Sequence, residues 1–359
     1  MITASTSVRP ISVYNKIMQV KENVALSNYS TMALGGTASH LTEVTTKNEL
    51  TDALAFANQN NLKVICIGGG SNLVWKDEGF KGLLIVNSIK GFEVFEEDET
   101  NYYITIGAGE NWDSVVERSV ELGLTGIEAL SLIPGKAGAT PIQNVGAYGQ
   151  EISQTLTTVE VLDTQGGNWS MIPASDCAFG YRTSRFKTTD KGRFLVATIT
   201  LHLIKGNPSP PFYTVLANYL DQHGIKEYTP AIIREAVINI RNAKLPKVSE
   251  VHNCGSFFAN PVVNETKFQL IKQDHEMVPN WQMEDNQVKI SAAWLIEQCG
   301  FKDYHDEETG MSTWPTQPLV LVNDSAKSTA DLLKFRDKIK ASVKEKFDID
   351  LIQEPELLP

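Results

Sequence analysis

Cysteine is sparse in this sequence: Cys66, Cys177, Cys254 and Cys299 lie at least 45 residues apart, with no C-x-x-C pair. That spacing argues against a zinc knuckle or a redox dithiol and reads as four reduced, buried small hydrophobes. The six histidines, at positions 40, 202, 223, 252, 275 and 305, are as scattered, so no metal site is expected. Positive charge is also short. With 32 basic against 43 acidic residues the net charge is -11, and nothing draws such a chain to phosphate backbones or anionic lipid. Nucleic acid is therefore excluded as an expected partner. No apolar run approaches the ~20 residues of a membrane helix, and Met1 to Val20 has no apolar core of a signal peptide, so a cytoplasmic protein without membrane insertion is expected.

What is present is an ordinary folded composition, 42% hydrophobic and 21% charged over 359 residues, enough for two or three domains. Fourteen of the 25 glycines fall between Gly68 and Gly149, which marks backbone that turns tightly or approaches a ligand. Around that cluster helix and strand alternate. Periodicity predicts helices over Lys47 to Asn60 and Trp112 to Leu122, with strands at Val64 to Ile67, Leu83 to Val86, Tyr103 to Ile106 and Phe194 to Ile204. Gly206-Asn207-Pro208-Ser209-Pro210-Pro211 interrupts all regular structure and is read as a domain boundary. Beyond it, helices are expected from Pro230 to Ala243, from Ile290 to Cys299 and after Ser328 to Phe347, with a buried strand at Leu319 to Val322. The reading is α+β: residues 1–20 a tail, 21–206 a first domain, 207–350 a second, and 351–359 a C-terminal segment. Glu93 to Glu99 reads as a solvated hairpin tip.

Four segments can carry chemistry. Val64-Ile65-Cys66-Ile67-Gly68-Gly69-Gly70-Ser71-Asn72-Leu73 runs a strand into three glycines, whose successive N–H groups suit a diphosphate or simply a turn. It lacks the G-x-G-x-x-G spacing with a downstream acid, which disfavours a Rossmann dinucleotide site. Ile133-Pro134-Gly135-Lys136-Ala137-Gly138-Ala139-Thr140-Pro141-Ile142-Gln143-Asn144-Val145-Gly146-Ala147-Tyr148-Gly149 is a small-residue stretch too long for one turn, suited to a flat ligand or to an ordered loop. Phe179-Gly180-Tyr181-Arg182-Thr183-Ser184-Arg185-Phe186-Lys187 sets two guanidiniums among aromatics, able to grip a carboxylate or to form salt bridges, the latter favoured for Arg185. Asn253-Cys254-Gly255-Ser256-Phe257-Phe258-Ala259-Asn260-Pro261 holds a serine with no histidine at a triad spacing, hence a positioned hydroxyl or a cap.

In this order, and with Gln353-Glu354-Pro355-Glu356, these segments resemble the UDP-N-acetylenolpyruvoylglucosamine reductases, from about Val20 to the last residues. The resemblance implies a flavin-binding domain of the p-cresol methylhydroxylase type, two α/β lobes, followed by an α+β substrate domain. It implies noncovalent FAD reduced by NADPH, and hydride passed on to the enolpyruvyl group of UDP-N-acetylglucosamine enolpyruvate to give UDP-N-acetylmuramate. By motif, Gly68, Gly69, Gly70, Ser71, Asn72 and Leu73 are expected at the FAD diphosphate, and Pro134, Gly135, Ile142, Gln143, Asn144, Gly146 and Ala147 at the rest of the cofactor. Ser256 corresponds to the proton donor, and Arg182 and Glu356 to the pair that stabilises the intermediate. Tyr148, Tyr213, Lys244, Asn260 and Gln317 are expected on the substrate, Tyr213 in the Y-x-x-L segment of the longer subclass. Glu356 is expected to be held by Asp350-Leu351-Ile352 pairing as a strand. Ala259 stands where relatives often carry a charged or polar residue, and Ser312-Thr313-Trp314-Pro315 replaces a small-residue, histidine-containing run. A monomer is expected. The competing readings are an FAD oxidase or dehydrogenase of the same fold acting on a sugar or 2-hydroxy acid, and a catalytically silent UDP-sugar-binding protein.

Overall fold

A computed structural model describes residues 8–11, 18–283 and 285–359, which fall into two compact units. The first comprises the chain up to Val24, Ala38–Gly69 and Phe80–Ala243; the second comprises Ala25–Thr37, Gly70–Gly79 and Lys244–Pro359. The division falls at Ala243, where the sequence reading put it at Gly206. The two helices after the proline run belong with the first unit because they pack on its own residue Ala129 and pair with its Asp113.

In the first unit a five-stranded sheet runs in the order Val8–Ile11, Met18–Ala25, Thr37–Val44, Phe80–Asn87, Lys63–Ile67, its last two neighbour pairs parallel. Helix α1 (Lys47–Gln59) starts where the Thr46 hydroxyl accepts from Glu49 N–H, and it lays Leu50, Ala53 and Leu54 against Leu83 and Ile85. An antiparallel sheet is built on the long strand Phe194–Lys205, which pairs with Leu156–Asp163 on one side and Asn101–Gly107 on the other. Its inner face, with Ile104, Ile106, Val159 and Ile199, buries Val115 and Val116 of α2 (Trp112–Glu121). α3 (Thr214–Gln222) and α4 (Pro230–Lys244) close a smaller core around Leu216, Leu220, Ile233 and Val237.

The second unit holds a four-stranded antiparallel sheet ordered Asn253–Ser256, Gln317–Asn323, Met311–Trp314, His305–Asp306, and a three-stranded sheet around Gln287–Ile290. Helices α5 (Glu265–Asp274), α6 (Ala292–Gln298) and α7 (Thr329–Phe347) cover them, burying Phe268, Leu295, Phe335 and Ile339 in one core. α6 begins later than its periodicity predicts: Ile290 ends a strand, and the Ser291 hydroxyl caps the helix at Trp294 N–H.

Part of the expected N-terminal tail is structured. Val8–Ile11 pairs with residues 18–21, while residues 1–7 and 12–17 lie outside the described residues. Cys177 and Cys254 are buried as expected, but Cys66 and Cys299 are only half-buried. Burial pushes the Cys66 thiol up to about 12 and the Cys177 thiol up to about 11, so neither is a thiolate at neutral pH. Among the described residues no helix is long and apolar enough to cross a membrane.

Candidate active site

Two glycine-rich loops of the first unit pass backbone to backbone. A Cβ added to Gly68 would stand 3.2 Å from the Lys136 Cβ, and one added to Gly69 would stand 3.1 Å from the Gly135 Cα. Side chains at either glycine would wedge the loops apart, so the glycines serve close approach. Lys136 fastens its own loop: its ammonium donates to the Asn87 carbonyl at 2.7 Å and the Ser88 hydroxyl at 3.0 Å, and burial lowers its pKa. Farther along the second loop, Ile133, Ile142 and Ala147 stay half-buried while packing on the sheet core. They leave an apolar wall beside a backbone-lined cradle, and Gln143 meets the Lys187 ammonium at 3.3 Å. Glycine-rich backbone beside half-buried apolar side chains is the kind of lining that suits a diphosphate and a flat ring. Gly70 belongs to the second unit, where its φ of +70° and the close Tyr29 carbonyl admit no side chain; Leu73 begins the buried strand Leu73–Trp75.

Leu132, Asn144, Tyr148 and Arg182, all in the first unit, have φ of +55°, +51°, +48° and +54°. Left-handed backbone at non-glycine residues is costly and concentrates where function demands it. Arg182 sits in a turn closed by reciprocal Gly180 and Thr183 backbone bonds, and its Nη2 donates to the Gly146 carbonyl at 2.7 Å. Arg185, by contrast, is committed to Asp190 at 2.5 Å, the salt bridge its sequence favoured. The Tyr148 ring meets Tyr213 edge-on at 6.3 Å, which places two of the expected substrate residues side by side.

Sequence reasoning missed Arg241. Its guanidinium lies beside Tyr148 and donates to the Leu132 carbonyl at 3.2 Å, while its buried Nε meets no partner among the described residues. Desolvation lowers its pKa, as expected of a buried cation without its own carboxylate. The available signal was its position three residues before Lys244, on the same helix face. Lys244 ends α4 as an exposed residue, and the desolvation its ammonium still meets lowers its pKa.

In the second unit Ser256 closes the strand Asn253–Ser256 after Gly255, whose φ of +75° and N–H bond to the Asn253 side chain make a bulge. The serine is half-buried, and its hydroxyl engages no other described residue. Phe257 and Phe258 behind it are fully buried and fix it. Residues 352–354 run antiparallel to this segment: Ala259 N–H donates to the Ile352 carbonyl and Glu354 N–H to the Phe257 carbonyl, each at 3.0 Å. Two residues on, Glu356–Leu358 forms a parallel strand with Leu73–Trp75, Glu356 opposite Leu73. The expected strand at 350–352 is thus replaced by one that contains Glu356 itself, because residues 72–75 offer the free edge. The C-terminal segment brings Ser256, Glu356 and the Asn72–Leu73 end of the glycine loop into one backbone network. Asn260 accepts from Ala292 N–H at 2.9 Å through its side-chain oxygen, and Gln317 opens the strand that pairs with Ser256.

The FAD binding domain family matches residues 38–170, and the C-terminal domain of UDP-N-acetylenolpyruvoylglucosamine reductase matches residues 246–358. The reductase of Thermobifida fusca is 39% identical over 349 residues, covering 94% of this chain and 97% of that one. That of Alcanivorax borkumensis is 37% identical over 355 residues, covering 99% and 100%. The chain belongs to this family. The solved UDP-N-acetylenolpyruvylglucosamine reductase of Thermus caldophilus has the same fold, with a TM-score of 0.65 at 22% identity, covering 95% of this chain and all of that one. Membership makes the chain an FAD-dependent oxidoreductase whose flavin domain contains the glycine loops and whose C-terminal domain contains Ser256 and Glu356.

Proposed function

We propose that the chain reduces the enolpyruvyl group of UDP-N-acetylglucosamine enolpyruvate to the lactyl ether of UDP-N-acetylmuramate, a peptidoglycan precursor, in the cytoplasm as a monomer. The observation that carries the residue assignment is the pairing of residues 352–354 with 257–259, which sets Ser256 and Glu356 on adjoining backbone. Bound FAD supplies the redox chemistry, relaying a hydride from NADPH. The glycines at 68–70 would hold its diphosphate, and Gly135, Ile142, Gly146 and Ala147 the rest of it.

Hydride added at the vinyl methylene leaves an electron pair on the adjacent carbon, delocalised into the carboxylate as an enediolate. Arg182 takes those oxygens through its fork of donors, and preorganised charge of this kind is usually the largest catalytic contribution. Glu356, on backbone adjoining Ser256, completes with Arg182 the pair that stabilises the intermediate. The Ser256 hydroxyl gives its proton to the carbon, completing addition of H⁻ and H⁺ across the double bond; a carbanion is basic enough to take it. Tyr148, Tyr213, Lys244, Asn260 and Gln317 hold the nucleotide sugar, Lys244 as a point charge on the diphosphate.

The purified protein is expected to be yellow, to release its flavin on denaturation, and to consume NADPH only when the enolpyruvyl sugar is added. Steady NADPH oxidation with oxygen alone, or turnover of a 2-hydroxy acid, would replace this reading with that of an oxidase or dehydrogenase.

A further inference from the structure

Asn144 was expected to touch the cofactor, yet its side chain is committed elsewhere. The residue is 1% exposed. One amide hydrogen goes to a Glu151 carboxylate oxygen at 2.7 Å and the other to the Gly180 carbonyl at 3.1 Å, while its oxygen accepts from Ser153 N–H at 3.1 Å. Gly180 is the first residue of the turn whose third residue is Arg182, and its carbonyl is also the acceptor that closes that turn from Thr183 N–H. Gly146 pairs across a two-residue ladder with Glu151. A Cβ at Gly146 would lie 2.8 Å from the Glu151 Cγ and 3.1 Å from the Arg182 Nη1, so both side chains converge over that glycine.

We propose that Asn144 and Glu151 are positioning residues for Arg182: the Asn144 amide ties the carboxylate of the 146–151 hairpin to the turn that holds Arg182 in left-handed backbone. The Gly180 carbonyl is the joint through which they act. An arginine at φ +54° relaxes readily unless its surroundings over-determine it. Two amide hydrogens pointing at two fixed acceptors supply that restraint, and no other uncharged side chain of the same shape carries two donors on one nitrogen and an acceptor beside it except glutamine, which is a methylene longer. The proposal rests on the reading that Arg182 grips the enolpyruvyl carboxylate.

The test is a double-mutant cycle on the FAD-loaded protein, with Asn144→Asp and Arg182→Gln, following flavin content, flavin reduction by NADPH and reoxidation by the enolpyruvyl sugar. Asn144→Asp is expected to keep flavin content and to leave reduction by NADPH within about 2-fold, while slowing reoxidation ~10–100-fold, the scale of a misplaced catalytic group. In the Arg182→Gln background the same change should cost less than about 3-fold, because the group it positions is gone. An aspartic acid regains one donor when protonated, and burial beside Glu151 raises its pKa. The Asn144→Asp deficit should therefore shrink as pH falls, whereas a plain packing defect has no such dependence. Glu151→Ala, at a half-buried hairpin position, should reproduce the reoxidation defect if Asn144→Asp does not fold. Full additivity with Arg182→Gln, or lost flavin with normal reoxidation of what remains, overturns the proposal. An Arg182→Gln protein that reduces the sugar normally overturns instead the role given to Arg182.

Discussion

At Ser256 a hydroxyl, among the weakest acids in a protein, is held by packing. Gly255 supplies the positive φ, Phe257 and Phe258 anchor the segment in the core, and the hydroxyl is engaged by no described residue. A group kept free in this way is available to a ligand, and its loss should be felt in one half-reaction. Ser256→Ala should leave NADPH reduction of the flavin intact, because that step needs no proton from the serine. Reoxidation by the sugar should slow ~10²–10⁴-fold, or roughly 3 to 5 kcal/mol of barrier. Rapid-mixing absorbance of the flavin separates the two steps, and equal slowing of both would show damage to the fold. This residue was legible in the sequence because a motif surrounds it. Arg241 and Glu151 were not, since a lone charge on a helix or hairpin looks the same whether its partner is water or a buried tyrosine.

At the scale of elements, α4 is fastened to α2 through Arg234, which also meets Glu117 at 3.5 Å. Arg234 is 8% exposed, and its fork reaches both oxygens of Asp113 on α2 at 2.6 and 3.1 Å and the Ser131 hydroxyl at 2.9 Å. Asp113 also accepts from Leu132 N–H at 2.6 Å, so α2, α4 and the start of the second glycine loop share a single carboxylate. Burial alone would raise its pKa, but the Arg234 fork and the Leu132 N–H hold it below the usual carboxylate range. Asp113→Asn should destabilise the protein by about 1–3 kcal/mol in urea unfolding, less than a fully buried pair because the carboxylate keeps some solvent. A depressed carboxyl stabilises fully above its unfolded value of about 3.9 and loses that contribution as pH falls through its lower folded value. The gap to wild type should therefore be flat from about pH 5 to 8 and narrow below about 4; a gap that widens in acid would overturn the assignment. Helices such as α1 and α7 were readable because Thr46 and Ser328 cap them and their apolar faces recur at helical spacing. The pairing between α2 and α4 was not readable, because Asp113 and Arg234 are 121 residues apart.

The second unit is drawn from three stretches of chain, Ala25–Thr37, Gly70–Gly79 and Lys244–Pro359, and no composition shift marks the first two. The last two are joined by Asp77 and Trp75 accepting from the start of α7 and by the parallel pair Leu73–Trp75 with Glu356–Leu358, too short to carry a strand pattern of its own. That pair also has a consequence for flavin binding. Deleting residues 353–359 strips Leu73–Trp75 of its strand partner and removes the Glu356 N–H bond to the Asn72 carbonyl, so the end of the glycine loop loses that support while the Ser30 and Thr31 bonds to its Leu73 and Gly70 carbonyls remain. Flavin content should fall along with sugar reduction. Glu356→Ala keeps that backbone pairing, so it should retain flavin and NADPH reduction while slowing sugar reduction ~10²-fold or more. Glu354 is the control. Its N–H donates to the Phe257 carbonyl, and its charge, after burial, helps raise the Cys254 thiol. Glu354→Gln should therefore turn over nearly normally. An inactive Glu354→Gln beside an active Glu356→Ala would move the catalytic carboxyl two residues back along the chain, and flavin retained in full by the truncated protein would show that the terminal strand supports only the sugar.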